Sequence, residues 1–151
     1  QIPYQIEDLI KAAVTPLEIA LDIRDITLEV QMQPDLQHRG DISWMTEAVS
    51  NILKNCMEHT PSGGHIRIVT KDNPLYLLIK ITDSGSGFTK QDLPHIFERF
   101  YRGQNADTDS VGIGLALAKR IIIAQNGTIR AYNHKKDGGA VFEIRMYKGA
   151  V

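Results

Sequence analysis

The sequence predicts an α+β protein, a two-layer sandwich with three main helices on one face of a mixed, mostly antiparallel sheet of about five strands. Three observations carry that expectation. Five short runs alternate apolar and polar residues with the period of a half-buried strand. Three longer stretches repeat apolar residues at helical spacing, and most of the strands follow one another across short turns. Helices set among such strands have one apolar face to bury, and one side of the sheet is the economical place for it.

Ile6, Leu9, Ile10, Ala13, Leu17, Ala20 and Leu21 follow helical spacing, and Pro16 should kink this helix or end it near Thr15. Ile26, Leu28, Val30 and Met32 alternate with Thr27, Glu29 and Gln31, which predicts a strand with one face buried. After a polar loop with Pro34 and Gly40, Asp41 or Ser43 would cap a helix running to about Glu58. Its apolar face comprises Trp44, Met45, Ala48, Val49, Ile52, Leu53, Cys56 and Met57, with Glu47, Asn51 and Asn55 in a stripe at the border.

Pro61-Ser-Gly-Gly64 breaks that helix, and strands are predicted over 65–71 and 75–82 around a turn at Asp72-Asn-Pro74. From Asp83 to Val111 the chain reads as irregular apart from a short helix over 93–97. A helix over 115–125 follows, with Gly127 suited to the left-handed position that closes it. Strands over 128–132 and 140–147 straddle the turn Asp137-Gly-Gly139.

At 151 residues the chain fits a single domain, 1–151, with no need of a disulfide or metal staple. Hydrophobic residues at 42% and charged residues at 23% argue against disorder. A net charge of -1 offers no broad field for nucleic acid or an anionic membrane, although a local basic patch stays open. Cys56 is the single cysteine, which rules out an internal disulfide and fits a reducing compartment. No apolar run is long enough to span a bilayer, and the start at Gln1 suggests a piece cut from a larger protein.

Asn51 and Asn55 lie one helical turn apart; such amides serve equally to bond each other or to offer neutral hard oxygens to Mg2+. Asp83-Ser-Gly-Ser-Gly87 leaves a strand through a turn where Gly85 and Gly87 permit positive φ and close approach of a ligand. A carboxylate there can accept a hydrogen bond from an exocyclic adenine amine. Gly112-Ile-Gly114 opens the helix that begins with Leu115, and unpaired N–H groups at a helix start bind phosphate. Neither a Walker loop nor a Rossmann fingerprint is present. By themselves Phe97, Phe100 and Tyr101 read as ordinary core aromatics beside solvated Arg99 and Arg102.

In this order, residues 47–60, 83–87, 96–103, 112–117 and 138–142 resemble the N box, first glycine box, F box, second glycine box and last glycine turn of one family. It is the catalytic and ATP-binding domain of bacterial sensor histidine kinases, in the GHKL superfamily with gyrase B, MutL and a class of heat-shock chaperones. The resemblance covers nearly the whole chain and implies the Bergerat ATP-binding fold, with ATP and Mg2+ as cofactors. It implies that Asn55 holds Mg2+, that Asn51 arranges phosphates or metal-bound water, and that Asp83 reads adenine. Arg102 would approach the terminal phosphates as a catalytic cation, and residues 103–111 would form a lid. His59 would pack on ribose or adenine, or alternatively cap its helix. Gly85, Gly87, Gly112, Gly114 and Leu115 complete the implied nucleotide-binding set.

The family often has Lys and Tyr where Glu58 and His59 stand, a small alanine at Cys56 and a hydroxyl at Ala140. Gyrase-like ATPases carry a glutamate base where this chain has Asn51, which disfavours hydrolysis and favours transfer to a protein acceptor. None of His38, His59, His65, His95 or His134 lies in the family's phosphoacceptor context. The implied partners are therefore a histidine-bearing dimerisation domain of the same protein and a response regulator receiver domain. No nucleic acid is implied, the isolated domain would be monomeric, and the location would be the cytoplasmic side of a membrane-anchored parent. The alternatives are a degenerate nucleotide-binding or docking module, and an ATPase of the gyrase kind.

Overall fold

The computed structural model describes residues 2–101 and 114–149. In chain order the elements are β1 (Ile2–Gln5), α1 (Ile6–Val14), a 3-10 turn (Thr15–Leu17), α2 (Glu18–Ile23), β2 (Thr27–Gln31) and β3 (Gln37–Gly40). There follow α3 (Ile42–His59), β4 (His65–Asp72), β5 (Tyr76–Asp83), a 3-10 turn (Leu93–His95), α4 (Gly114–Ala124), β6 (Gly127–Asn133) and β7 (Ala140–Tyr147). Pro16 acts as expected, since α1 stops at Val14 and the chain passes through the tighter turn before α2. No described helix is long and apolar enough to cross a membrane.

Five strands form one sheet in the order β2-β4-β5-β7-β6. β2 runs parallel to β4, and the other pairs are antiparallel. The side chains of Ile66, Ile68, Leu77, Ile79, Ile81, Phe142, Ile144 and Met146 are buried in the core together with Leu9 of α1, Met45, Val49 and Ile52 of α3 and Ile122 of α4. Each such aliphatic or aromatic side chain contributes about 1.5–3 kcal/mol by leaving water. The expected two-layer arrangement is therefore present.

Four local expectations fail for identifiable reasons. The polar stretch before α3 was expected to be a loop, but Gln37–Gly40 pairs antiparallel with Ile2–Gln5 as a second, two-stranded sheet. Its only buried side chain is Tyr4, which meets His38 edge-on at 6.2 Å, so no apolar alternation announces it. Val30 is 40% exposed, because β2 is an edge strand and the helical layer ends beside it. Trp44 is 54% exposed, because it lies at the edge of the apolar face of α3, while the adjacent Met45 takes the buried position in the same turn. Finally, Asn126 with φ 63° takes the left-handed position after α4, while Gly127 begins β6. A Cβ on Gly127 would crowd Arg145 O and Ile122, so its smallness serves packing.

Candidate nucleotide site

Helix α3 is the wall on which the site is built. Asp41 is its N-cap, with Oδ1 accepting from Trp44 N at 3.1 Å, which settles the choice between Asp41 and Ser43. Met45, Ala48, Val49, Ile52, Leu53 and Cys56 face the core. That orientation leaves Asn51 and Asn55 half-buried at the border. Asn55 Oδ1 is buried and accepts no hydrogen bond. A buried acceptor left alone costs about 1–3 kcal/mol, so it marks a place where a partner is expected.

At the end of β5, Asp83 continues the inward row of Leu77, Ile79 and Ile81 and is only 7% exposed. Its Oδ1 accepts from Gly85 N at 2.9 Å and from Ala140 N at 3.2 Å. Its Oδ2 is buried with no partner. Burial pushes the Asp83 carboxyl above its ordinary range, against the hydrogen bonds from Gly85 and Ala140 and the influence of the neighbouring Cys56 thiol and His59. Burial, and then the Asp83 charge, push the Cys56 thiol well up.

The glycines of this turn have distinct roles. A Cβ on Gly85 would land on the His59 carbonyl, so Gly85 lets the turn press on the last turn of α3. Close approach here is to protein backbone, whereas the sequence pointed to a ligand. Gly87 has φ 77° and abuts Gly138 O. Gly139 seats against Asp83 O, locking the turn before β7 to the end of β5. His59 closes α3 and meets Phe88 edge-on at 6.2 Å.

Gly114 opens α4, and a Cβ there would lie 3.8 Å from Asn51 Cβ, so the start of α4 faces the asparagine stripe. Leu115 is buried in the core cluster. Arg102, Gly112 and the expected lid at residues 103–111 lie outside the described residues. Along α3, then, Asn51 meets α4, Cys56 interacts with Asp83, and His59 meets Gly85. These contacts span about 12 Å of helix. Glu58, the acid in a place where a cation was expected, is exposed.

The F-box aromatics divide. Phe97 packs edge-on to Phe142 at 6.3 Å and lies under Lys119 Nζ at 5.3 Å. Tyr101 donates to Asp92 Oδ1 and stacks on His95. Phe100, read from the sequence as a core aromatic, is 63% exposed with φ 66°, a conformation that L residues of this bulk rarely adopt.

Two supports escaped the sequence reading. Asn133 clamps the loop after Gly87, accepting from Phe88 N at 2.8 Å and donating to Phe88 O at 2.7 Å. Its signal was a polar residue at the end of the row Ile129, Ala131, Asn133. The other is the Ala140 N–H, a backbone donor that no side-chain pattern announces.

Residues 40–149 match the family model described as histidine kinase-, DNA gyrase B-, and HSP90-like ATPase. Sensor protein SphS of Synechococcus elongatus is 32% identical over 117 residues, covering 72% of this chain and 28% of SphS. The solved structure of the mycobacterial sensor histidine kinase MprB shares 29% identity and a TM-score of 0.85, covering 97% of each chain. The histidine kinase ThkA, solved in complex with response regulator protein TrrA, has a TM-score of 0.82 at 21% identity, a likeness of fold over 98% of this chain and 42% of that one. The chain spans roughly a third of the length of the curated relatives it matches. With a family model spanning most of its length and the fold continuous with these structures, the chain belongs to the histidine kinase-, DNA gyrase B-, and HSP90-like ATPase family, as a domain of the sensor histidine kinase type.

Proposed function

We propose that this chain, as one catalytic and ATP-binding domain, binds ATP with Mg2+ along α3 and presents the γ-phosphoryl group to a histidine on a separate dimerisation domain. An aspartate on a response regulator receiver domain would then take the phosphoryl group, in keeping with the regulator partner of ThkA. The observation that carries this reading is the pair of buried oxygens without partners, Asn55 Oδ1 and Asp83 Oδ2. Each asks for a group that a magnesium nucleotide brings: a hard cation for the neutral amide oxygen, and an N–H donor for the carboxylate.

Among the described residues no cluster of three His, Cys, Asp or Glu side chains would cage a metal. A single amide ligand fits Mg2+, which keeps waters and phosphate oxygens in its shell. When bound, Mg2+ neutralises phosphate charge. Asn55 would hold it, and Asn51, beside the start of α4, would order phosphate oxygens or metal-bound water. N–H groups at Gly112 and Gly114 would receive phosphate oxygens, and Arg102 would offset charge on the terminal phosphate. Asp83 would accept from the exocyclic amine of adenine, with His59 at the same end and with Gly85 and Gly87 shaping the turn.

Because Asn51 cannot remove a proton from water, this chain orients the nucleotide and leaves nucleophile activation to the histidine-bearing domain. The test is phosphotransfer from γ-labelled ATP to an added dimerisation domain, with Asn55→Ala and Arg102→Ala as controls. Label on histidine, lost in both variants, is the expected result. Steady release of inorganic phosphate without histidine label would favour an ATPase, and no nucleotide binding at millimolar concentration would favour a docking module.

A further inference from the structure

Among the described residues, no strand pairs with the edge of the main sheet farthest from β6, which is β2. Thr27 N donates to Gly64 O and Gln33 N to Thr70 Oγ1, so the odd-numbered residues of this strand turn their N–H groups towards β4. The parallel register puts the N–H groups of Leu28 and Val30 on the free side. β2 has neither proline nor lysine to block pairing, and its acid Glu29 is held by Arg67 of β4 at 3.2 Å. An unblocked edge of this kind is a template for another strand.

Beside this edge lies a hollow of about 310 Å³, lined by Val14, Leu21, Ile26 and Leu28 with Glu18 and Asp22. The four apolar residues come from α1, α2, the turn before β2 and β2 itself, where the helical layer stops. Leu28 and Val30 point to the helix side, in register with Ile66 and Ile68 of β4. The lining holds two carboxylates and no cation; Arg24, nearby in sequence, reaches instead to Thr60 O.

We propose that the free edge of β2 accepts an extended segment of a partner protein as an added strand, with its inward apolar side chains filling this hollow and its flanking Lys or Arg residues meeting Glu18 and Asp22. Main-chain bonds to Leu28 and Val30 give affinity, and alternate side chains give selectivity. A second copy of this chain is a poor occupant, because its own β2, Thr27–Gln31, carries no Lys or Arg to meet Glu18 and Asp22. The surface is separate from the proposed nucleotide site, so the two readings stand or fall independently.

The test uses the 15N-labelled chain and the peptide acetyl-Lys-Thr-Val-Thr-Val-Thr-Lys-amide, in which both lysines share the valine face, and its Glu-Val counterpart with Glu in place of each Lys. Saturable shifts at Thr27–Gln31, Val14 and Leu21 are expected, with about tenfold weaker binding after charge reversal by Glu18→Lys with Asp22→Lys. The Glu-Val counterpart of the peptide should bind more weakly to the unaltered chain. Val30→Pro, which removes an outward N–H and keeps the pairing to β4, should abolish the β2 shifts. Should that variant lose its dispersed spectrum, a peptide N-methylated at alternate residues does the same from the partner's side. Equal binding by the methylated peptide or by a folded Val30→Pro, shifts confined to β6, or concentration-dependent self-association through β2 would overturn the proposal.

Discussion

Two buried carboxyls, one at each face of the sheet, behave in opposite ways. Asp83 is 7% exposed on the helix side, and Glu143 is 8% exposed on the far side. Burial pushes both upwards in pKa. At Glu143 the push is outweighed: Arg130 Nε donates to Oε1 at 2.9 Å, Tyr132 OH donates to Oε2, and the Arg130 and Lys80 charges add to them. Glu143 is therefore held below the ordinary range. At Asp83, which loses more of its solvation and has no donor on Oδ2, the push prevails. Similar exposure thus separates into a carboxylate completed by its own sheet and one with an open oxygen.

Asp83→Asn should break the comparison most severely. Replacing the open oxygen by a donor is expected to weaken binding of an ATP analogue about 10- to 100-fold, the range of a hydrogen bond to a charged group. Calorimetric titration checks it, and folding stability should not fall. The mirror substitution, Glu143→Gln, should leave affinity unchanged and cost about 1–2 kcal/mol in urea denaturation, kept small by the 63% exposure of the Arg130 side chain. If both substitutions lower stability alike, the distinction between the two sites is lost.

A control remote from both carboxyls is Asp41→Ala, which removes the cap of α3. It should cost about 1 kcal/mol with little change in analogue affinity. The smallest effects are the pH slopes. With its pKa raised in the fold, Asp83 gives stability that is fully present below its ordinary value of 3.8 and is lost as pH rises through the raised value. Glu143, with its pKa lowered, gives stability present above its ordinary value of 4.5 and lost as pH falls through the lowered value. Subtracting the Asp83→Asn and Glu143→Gln stability curves from the parent curve should give slopes of opposite sign. Analogue affinity should fall as acid protonates Asp83.

Much of this was legible in the residue pattern. Leu75, Leu77, Ile79 and Ile81 alternate as one inner row and Phe142, Ile144 and Met146 as another; of these Leu75, ahead of β5 and 70% exposed, alone fails to bury. The apolar pairs of α3 put Asn51 and Asn55 at its border. What stayed hidden depends on backbone groups or on the limits of a layer. The β1–β3 ladder joins Pro3 and Arg39 with no apolar code, and the parallel pairing of β2 is a property of the crossover. The exposure of Val30 follows from where the helical layer ends, and that of Trp44 from its place at the edge of the α3 face. Asn133 looked like any loop amide until its two bonds to Phe88 were seen. Of the proposed site, the sequence could point to the side chains of Asn55 and Asp83, whose buried oxygens lack partners, but not to Ala140 N or the Gly85–His59 contact.

The seat of Gly139 against Asp83 has a consequence for the order in which the molecule is made. A ribosome releases β4 and β5 well before β7, so the nascent chain can pair its first hairpin while the carboxyl at the end of β5 still lacks its Ala140 donor. A product of premature termination ahead of β7 would keep α3 and both asparagines and yet lack the Gly139 seat and the Ala140 donor at Asp83. On the proposed reading, competence to hold a nucleotide would therefore arrive with β7.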